Sequence, residues 1–332
     1  MKRGVYFCAE NSLQRVYGDS ERKEIAKRFD MAEPLVTREN WREHTSILAE
    51  AEVIVSSWGG AILDEELLAA MPKVEMYFYG AGTIQGLMTE AAWDRGIRIT
   101  NAVAANAVPV AEFCLAQILY SLKHGWKYMQ LTKEDNPQFW GCNKPVPGNY
   151  RSKVGIVSFG QIARKLCEFL QPFDLQVLVY TGHPDDRLAD EYGIKYASME
   201  EIFASCDVVS IHLPLKESTT GIIDRALLDR MKPESTLINT ARGAVMNQAE
   251  MIEFLRERKD VTACIDVTDP EPPETGCPLF DLPNVVLTPH LAGSMGPEAR
   301  RMAAYIIDEM DRWLAGEPLH HEISREAVAF IA

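Results

Sequence analysis

At 332 residues the chain exceeds what one core usually fills and suits two domains of about 100–200 residues each. A composition 47% hydrophobic and 25% charged is that of an ordinary folded protein and excludes a disordered chain, a collagen-like fibre and a coiled coil. The 34 basic and 48 acidic residues leave a net charge of −14. Such a field repels phosphate backbones and anionic headgroups, so no nucleic acid and no membrane surface is expected as a partner, although a local arginine can still draw in a small anion.

Residues 5–9 read as a first strand, since so few apolar residues are too short for a secretory signal. Further strands are expected at 53–56, 74–79, 97–100, 154–157, 176–180, 207–212, 236–239, 261–266 and 285–287. Helix-length segments separate them at 21–29, 64–70, 161–170, 200–205, 226–230 and 249–258. Ser198 with Glu201 and Asn247 with Glu250 are capping pairs for two of these. Two longer helices are expected at 109–128 and 297–315, each opening on a proline suited to a first helical turn. The apolar tract 107–122 is interrupted by Glu112 and Gln117 and reads as too short and too polar to span a bilayer. A loop rich in Pro, Gly, Asn and aromatic residues, 136–150, follows the first long helix. This alternation of strand and helix is the pattern of parallel sheets covered on both faces, an α/β fold. The 7 cysteines, Cys142 among them, show no C-x-x-C spacing, so reduced thiols, a cytosolic setting and no metal are expected.

The strongest local signal is Val154-Gly155-Ile156-Val157-Ser158-Phe159-Gly160-Gln161-Ile162-Ala163, an apolar strand running through a turn into a helix. A dinucleotide site needs three small positions here: for the tight turn, for the pyrophosphate and for helix–strand packing. Ser158, Gly160 and Ala163 occupy them, with serine in place of the first glycine. The N–H groups of Gln161 and Ile162 at the helix start would face the pyrophosphate. About twenty residues on, an NAD site usually carries an acid for the ribose hydroxyls. That position is Thr181, followed by Gly182, His183 and Pro184; Asp185 comes four residues late. NADP therefore stays open beside NAD, with His183 or Arg187 as candidates for a 2′-phosphate.

Three further strands end in ionisable residues where ligands collect in open α/β sheets: Arg242 after 236–239, Glu271 after 261–266, and His290 after 285–287. Any one of them alone reads as structural. In this order and spacing, within Asn239-Thr240-Ala241-Arg242-Gly243 and Thr288-Pro289-His290, the chain resembles the D-isomer-specific 2-hydroxyacid dehydrogenases, the family of D-3-phosphoglycerate dehydrogenase and glyoxylate/hydroxypyruvate reductase. Gly80-Ala81-Gly82, Thr100-Asn101-Ala102, the glycine turn and His212-Leu213-Pro214 extend the resemblance over nearly the whole chain.

That resemblance implies two doubly wound α/β domains. A Rossmann dinucleotide-binding domain, 103–293, would be inserted into a flavodoxin-like substrate domain, 1–102 with 294–332. It implies hydride transfer between NAD(P)H and a small 2-oxo or D-2-hydroxy acid, in a cytoplasmic homodimer. Arg242 would clamp carboxylate and carbonyl oxygens with its planar fork. His290 would give or take the proton, and Glu271 would fix its tautomer. Backbone amides around Gly80, Ala81 and Gly82 would hold the substrate carboxylate, and Asp266 would orient the nicotinamide carboxamide. The cofactor would also meet His212, Pro214, Thr219, Thr240, Ala241, Ala292 and Gly293. Side-chain selectivity would come from Ser57, Trp58 and Trp140. No room is expected within the 332 residues for the regulatory domain of longer phosphoglycerate dehydrogenases. His320-His321-Glu322 reads as a solvated tail rather than a metal site. A dinucleotide-sensing binding module of the corepressor kind is the alternative function, because fold alone does not settle activity.

Overall fold

The structure is a computed structural model that describes residues 1–133 and 145–330. Trp140, Cys142 and most of the loop 136–150 lie outside the described residues. The chain divides into two compact units, Met1–Asn106 with Ser294–Ala332, and Ala107–Gly293.

The first unit is built on strands β1 (Arg3–Phe7), β2 (Asp30–Val36), β3 (Val53–Ser56), β4 (Met76–Tyr79) and β5 (Arg98–Asn101). They pair in parallel in the order β2-β1-β3-β4-β5, the flavodoxin-like order that reverses direction between β1 and β3. β3 and β4 are buried along their whole length, as a sheet covered on both faces requires. One cover is the helix Ala299–Ala315, which buries Met302, Ala303, Ile306 and Met310 against Val53, Val55, Met76 and Phe78. Burying a side chain of that size contributes roughly 1.5–3 kcal/mol. β2 escapes a search for apolar runs because it is an edge strand carrying Glu33-Pro34 and buries only Ala32 and Val36.

The segment His320-His321-Glu322 is not a solvated tail. Asn101 N–H donates to the His321 carbonyl at 3.2 Å, Ile323 N–H to Ile99 at 3.0 Å, and Arg98 grips Glu322 through two nitrogens. His321 stacks on Tyr305 with ring centroids 5.2 Å apart. Asp308, Glu309 and His320 bring ligand-type atoms within 4.8 Å of one another. The Glu309 carboxylate, however, accepts the backbone N–H of both His320 and His321, which makes it a cap for the returning chain.

The second unit holds β6 (Tyr150–Val157), β7 (Asp174–Tyr180), β8 (Ile194–Tyr196), β9 (Val208–Ile211), β10 (Thr236–Asn239), β11 (Thr262–Ile265) and β12 (Val285–Leu287). The all-parallel order β12-β11-β10-β9-β6-β7-β8 is the Rossmann arrangement with one strand added, and direction reverses between β6 and β9. At Gly155 in β6 an added Cβ would lie 2.3 Å from Ile202, so glycine lets the helix Met199–Ser205 approach the strand.

The first long helix departs from expectation. It runs Val103–Ser121 with Pro109 inside it, and a separate helix, Gly125–Lys133, follows. Asn101 starts it early by accepting the Val103 N–H, and His124, with φ at 48°, breaks it. At 19 residues and a mean hydropathy of 1.4 the helix is long and apolar enough to cross a membrane, contrary to the reading of the shorter tract. Val110, Ala111, Cys114 and Ile118 on it are buried in the core of the second unit. The six described cysteines are buried and unbridged. Burial pushes the thiols of Cys8, Cys167, Cys206 and Cys264 up to about 12 and that of Cys114 to about 11, so they stay protonated and inert.

Candidate active site

The turn after β6 keeps the conformation a glycine would have supplied. Ser158 sits at φ 86°, in the left-handed region, and its N–H donates to Tyr180 at 2.9 Å. Gly160 then N-caps the helix Gln161–Leu170 without any side-chain cap, and a Cβ there would meet nothing within 4 Å. The first-turn N–H groups of Gln161 and Ile162 thus lack an intrahelical acceptor beside open space, a fit for a diphosphate. Ala163 is fully buried, the close-packing position of the motif.

Thr181 follows β7, and its hydroxyl accepts the His183 N–H at 3.2 Å. Arg187 is no free fork for a 2′-phosphate: its guanidinium is bound to Asp185 at 2.9 Å, and Asp185 also caps the helix Asp186–Tyr192. His212, just past β9, is buried, with Nε2 at 2.9 Å from the Ser210 hydroxyl. Burial pushes it down to about 4, so the ring is neutral near pH 7. The Thr219 hydroxyl donates to the Pro214 carbonyl at 2.6 Å and accepts the Lys216 N–H at 2.9 Å. Thr219 thereby holds the turn that follows Pro214.

Three neighbouring strands, β10, β11 and β12, deliver the ionisable residues to the carboxyl edge of the sheet. After β10, the Asn239 side chain accepts the Ala241 N–H and donates to the Arg242 carbonyl, both at 3.0 Å, and so fixes the turn that presents Arg242. One Arg242 nitrogen donates to the Ala241 carbonyl at 2.6 Å. A Cβ on Gly243 would fall 2.1 Å from the Thr268 backbone, so only glycine lets this turn meet the loop that follows β11. The Thr240 hydroxyl lies 3.2 Å from the Cys114 sulfur.

After β11, the buried Asp266 carboxylate accepts the Thr288 hydroxyl at 2.5 Å and the N–H groups of Leu291 and Ala292 at 2.9 and 3.0 Å. Its carbonyl accepts the His290 N–H at 2.9 Å. Asp266 is thereby the staple of the turn from Thr288 to Gly293. That turn holds His290 at φ 51°, a strained conformation that persists because the surroundings over-determine it. The His290 Nδ1 lies 2.5 Å from Glu271, leaving Nε2 without a partner among the described residues. Both side chains are nearly half exposed, so the pair orients the ring more than it stabilises the fold. The loop carrying Glu271 is pinned by the Thr268 hydroxyl on the Pro270 carbonyl and by Gln248 on the Asp269 N–H. Asn239 and Thr288 stand in the two motifs but without a role of their own, and Thr268 and Gln248 have no sequence signal, because a neutral side chain that bonds backbone has no spacing rule.

The edge of the first unit is built of backbone. The Gly80 N–H donates to the Ser56 carbonyl at 2.7 Å, so, against expectation, Gly80 offers no free donor. Its role is room, since a Cβ would sit 2.2 Å from the Tyr17 hydroxyl. The N–H groups of Ala81 and Gly82 have no protein acceptor among the described residues. The Ser57 hydroxyl holds the Gly80 carbonyl at 3.1 Å, and Asn101 holds that of Gly82 at 3.2 Å.

A Rossmann sheet whose last strands present an arginine, a glutamate and a histidine defines a nicotinamide-dependent dehydrogenase. The sequence profile for the D-isomer specific 2-hydroxyacid dehydrogenase NAD binding domain matches residues 115–292. The Bacillus subtilis protein YoaD, which bears a 2-hydroxyacid dehydrogenase name, is 30% identical over 310 residues, 89% of this chain and 87% of its own. A D-3-phosphoglycerate dehydrogenase of Archaeoglobus fulgidus is 25% identical over 267 residues; the match takes in 80% of this chain but only 50% of that protein. In fold, the chain is similar to D-mandelate dehydrogenase of Rhodotorula graminis, with a TM-score of 0.82, 20% identity and 98% of each chain covered. The chain belongs to the D-isomer specific 2-hydroxyacid dehydrogenase family, whose chemistry is NAD-dependent hydride transfer between 2-hydroxy and 2-oxo acids.

Proposed function

We propose that this chain interconverts a small 2-oxo acid and its D-2-hydroxy acid, with His290 and Glu271 as the acid–base pair and Arg242 as the clamp. The observation that carries the reading is the 2.5 Å contact between His290 Nδ1 and Glu271, on a strand two places from the one presenting Arg242. NAD supplies the hydride acceptor or donor. His290 Nε2 delivers a proton to the carbonyl oxygen in reduction and takes it back in oxidation. Glu271 accepts Nδ1–H, which fixes the tautomer and favours the imidazolium. Arg242 would bind carboxylate and carbonyl oxygen together with its fork, and the open amides of Ala81 and Gly82 are donors suited to a carboxylate.

Ser158, Gly160, Gln161 and Ile162 would hold the pyrophosphate, with Thr181 at the ribose. His212, Pro214, Thr219, Thr240, Ala241, Ala292 and Gly293 would line the rest of the cofactor, and Asp266, whose bonds hold the His290 turn, would orient the nicotinamide carboxamide. We infer a cytoplasmic homodimer. The acidic balance and the six buried thiols support the compartment, and the dimer rests on the family resemblance. The relatives above are named for enzymatic activities, which favours the enzyme over a binding module. Mixing the purified chain with NADH and a panel of 2-oxo acids tests the reading: NADH absorbance should fall with at least one acid, and no fall with any at millimolar concentration would overturn it.

A further inference from the structure

Arginines in the first unit mostly face carboxylates: Arg28 binds Asp311, Arg42 binds Glu66 and Arg98 binds Glu322. Arg15 does not. It stands in the last turn of the short helix Glu10–Val16, exposed, with its guanidinium 4.6 Å from the centre of the Trp58 ring. One nitrogen donates to the Ser294 carbonyl at 2.5 Å and touches the Met295 sulfur at 3.6 Å. Nε and the second terminal nitrogen have no acceptor among the described residues. Ring and carbonyl hold the fork in place while its charge stays unneutralised.

The position of this fork is tied to the carboxylate-binding amides through bonds within one sheet edge. Trp58 follows Ser57, whose hydroxyl holds the Gly80 carbonyl, and the Trp58 carbonyl accepts the Ala9 N–H at 3.0 Å. Gly59 has φ at 75° and would strike Ala9 if it carried a Cβ, so the loop after β3 has one seat against the end of β1. Tyr17, two residues past Arg15, donates to the Ser56 carbonyl at 2.8 Å and fills the space that Gly80 leaves. All of this lies where the strand order reverses, between β1 and β3, the place where open α/β sheets bind ligands.

We propose that Arg15 is a substrate-binding residue that selects 2-oxo acids bearing a second anionic group, a distal carboxylate or phosphate, on the side chain. This rests on the dehydrogenase reading above and adds the substrate class to it. A permanently charged planar fork with two open donors recognises an oxyanion. In a chain of net charge −14, an unpaired guanidinium is also what draws a doubly charged substrate to this edge. A hydrogen bond to a charged group is worth about ten- to a hundredfold in binding.

The test compares acids of matched length, 2-oxoglutarate against 2-oxohexanoate and oxaloacetate against 2-oxopentanoate, together with phosphonate-bearing analogues. Natural protein, Arg15→Gln and Arg15→Lys are assayed, with circular dichroism confirming the fold of each. We expect the doubly charged acids to be preferred by about tenfold or more in kcat/KM. Arg15→Gln should erase that preference through KM while leaving pyruvate kinetics within about threefold, and Arg15→Lys should restore part of it. The carboxylate and phosphonate arms distinguish the two anions. Turnover in which the uncharged acid is favoured, or in which Arg15→Gln lowers both members of a pair equally, overturns the role of Arg15 and leaves the dehydrogenase standing. No turnover with any acid overturns both.

Discussion

The two sheets end in edges of opposite construction. After β4 and β3 the donors on offer are backbone N–H groups, and their geometry depends on an absent side chain: Gly80 must have no Cβ because Tyr17 occupies its place. After β10, β11 and β12 the groups on offer are side chains of Arg242, Glu271 and His290, held by neutral neighbours such as Asn239 and Thr288. Backbone N–H donors are neutral and do not titrate, so they offer an anion the same hydrogen bonds at every pH and move no proton. Ionisable side chains can move a proton, and they need the surrounding hydrogen bonds to aim them. One edge thus offers donors that do not titrate, and the other offers groups that can.

Substitutions sharpen or break that contrast. His290→Ala should cut turnover about 10²–10⁴-fold while NADH affinity, read by fluorescence titration, stays within a few-fold. Turnover within threefold of the natural protein would move the proton transfer elsewhere. The next effect is on stability. His212 is depressed to about 4 from 6.5, so between those values the unfolded chain binds a proton that the folded chain refuses. Stability therefore rises with pH through this window, and about 3 kcal/mol should be lost on going from pH 7 to about pH 4. Urea midpoints for the natural protein and His212→Asn measure it; equal acid sensitivity in both would show that the ring titrates freely.

Smaller effects follow. Arg242→Lys keeps the charge and loses the fork, so kcat/KM should fall about tenfold or more, with KM raised as well as kcat lowered. Unchanged kinetics would make Arg242 a structural charge. Thr181→Asp places a carboxylate where an NAD site usually has one, and the NADH-to-NADPH ratio of kcat/KM should rise about tenfold. A ratio that does not move removes Thr181 from the ribose. Ser158→Gly relieves a left-handed serine, and thermal unfolding should show a gain of up to about 1 kcal/mol with NADH binding kept. Destabilisation would mean that the hydroxyl has a partner worth more than the strain.

Much of this was legible in the residues. Strands at 53–56, 236–239 and 285–287 and the helix at 161–170 lie where the apolar runs and the glycine turn put them. Side-chain chemistry showed through residue type, since few roles suit an Arg, a Glu and a His at consecutive strand ends. β2 and β8 were hidden, the first by its polar edge character and the second by its 3 residues. The break at His124 was hidden because nothing local announces a histidine in a left-handed turn. The same limit concealed the roles of Asn239 and Thr288, which lie in the atoms they meet after folding, the Ala241–Arg242 backbone and the Asp266 carboxylate.

The first unit is completed by residues made after the second unit. Its five strands all lie before Asn106, yet Met302, Ile306 and Met310, which cover one face of that sheet, follow Gly293. On a ribosome adding roughly 5–20 residues per second, that apolar face waits about 10–40 seconds for its cover while the whole second unit is synthesised. Vectorial synthesis therefore leaves that apolar face open to chaperones while the second unit is made.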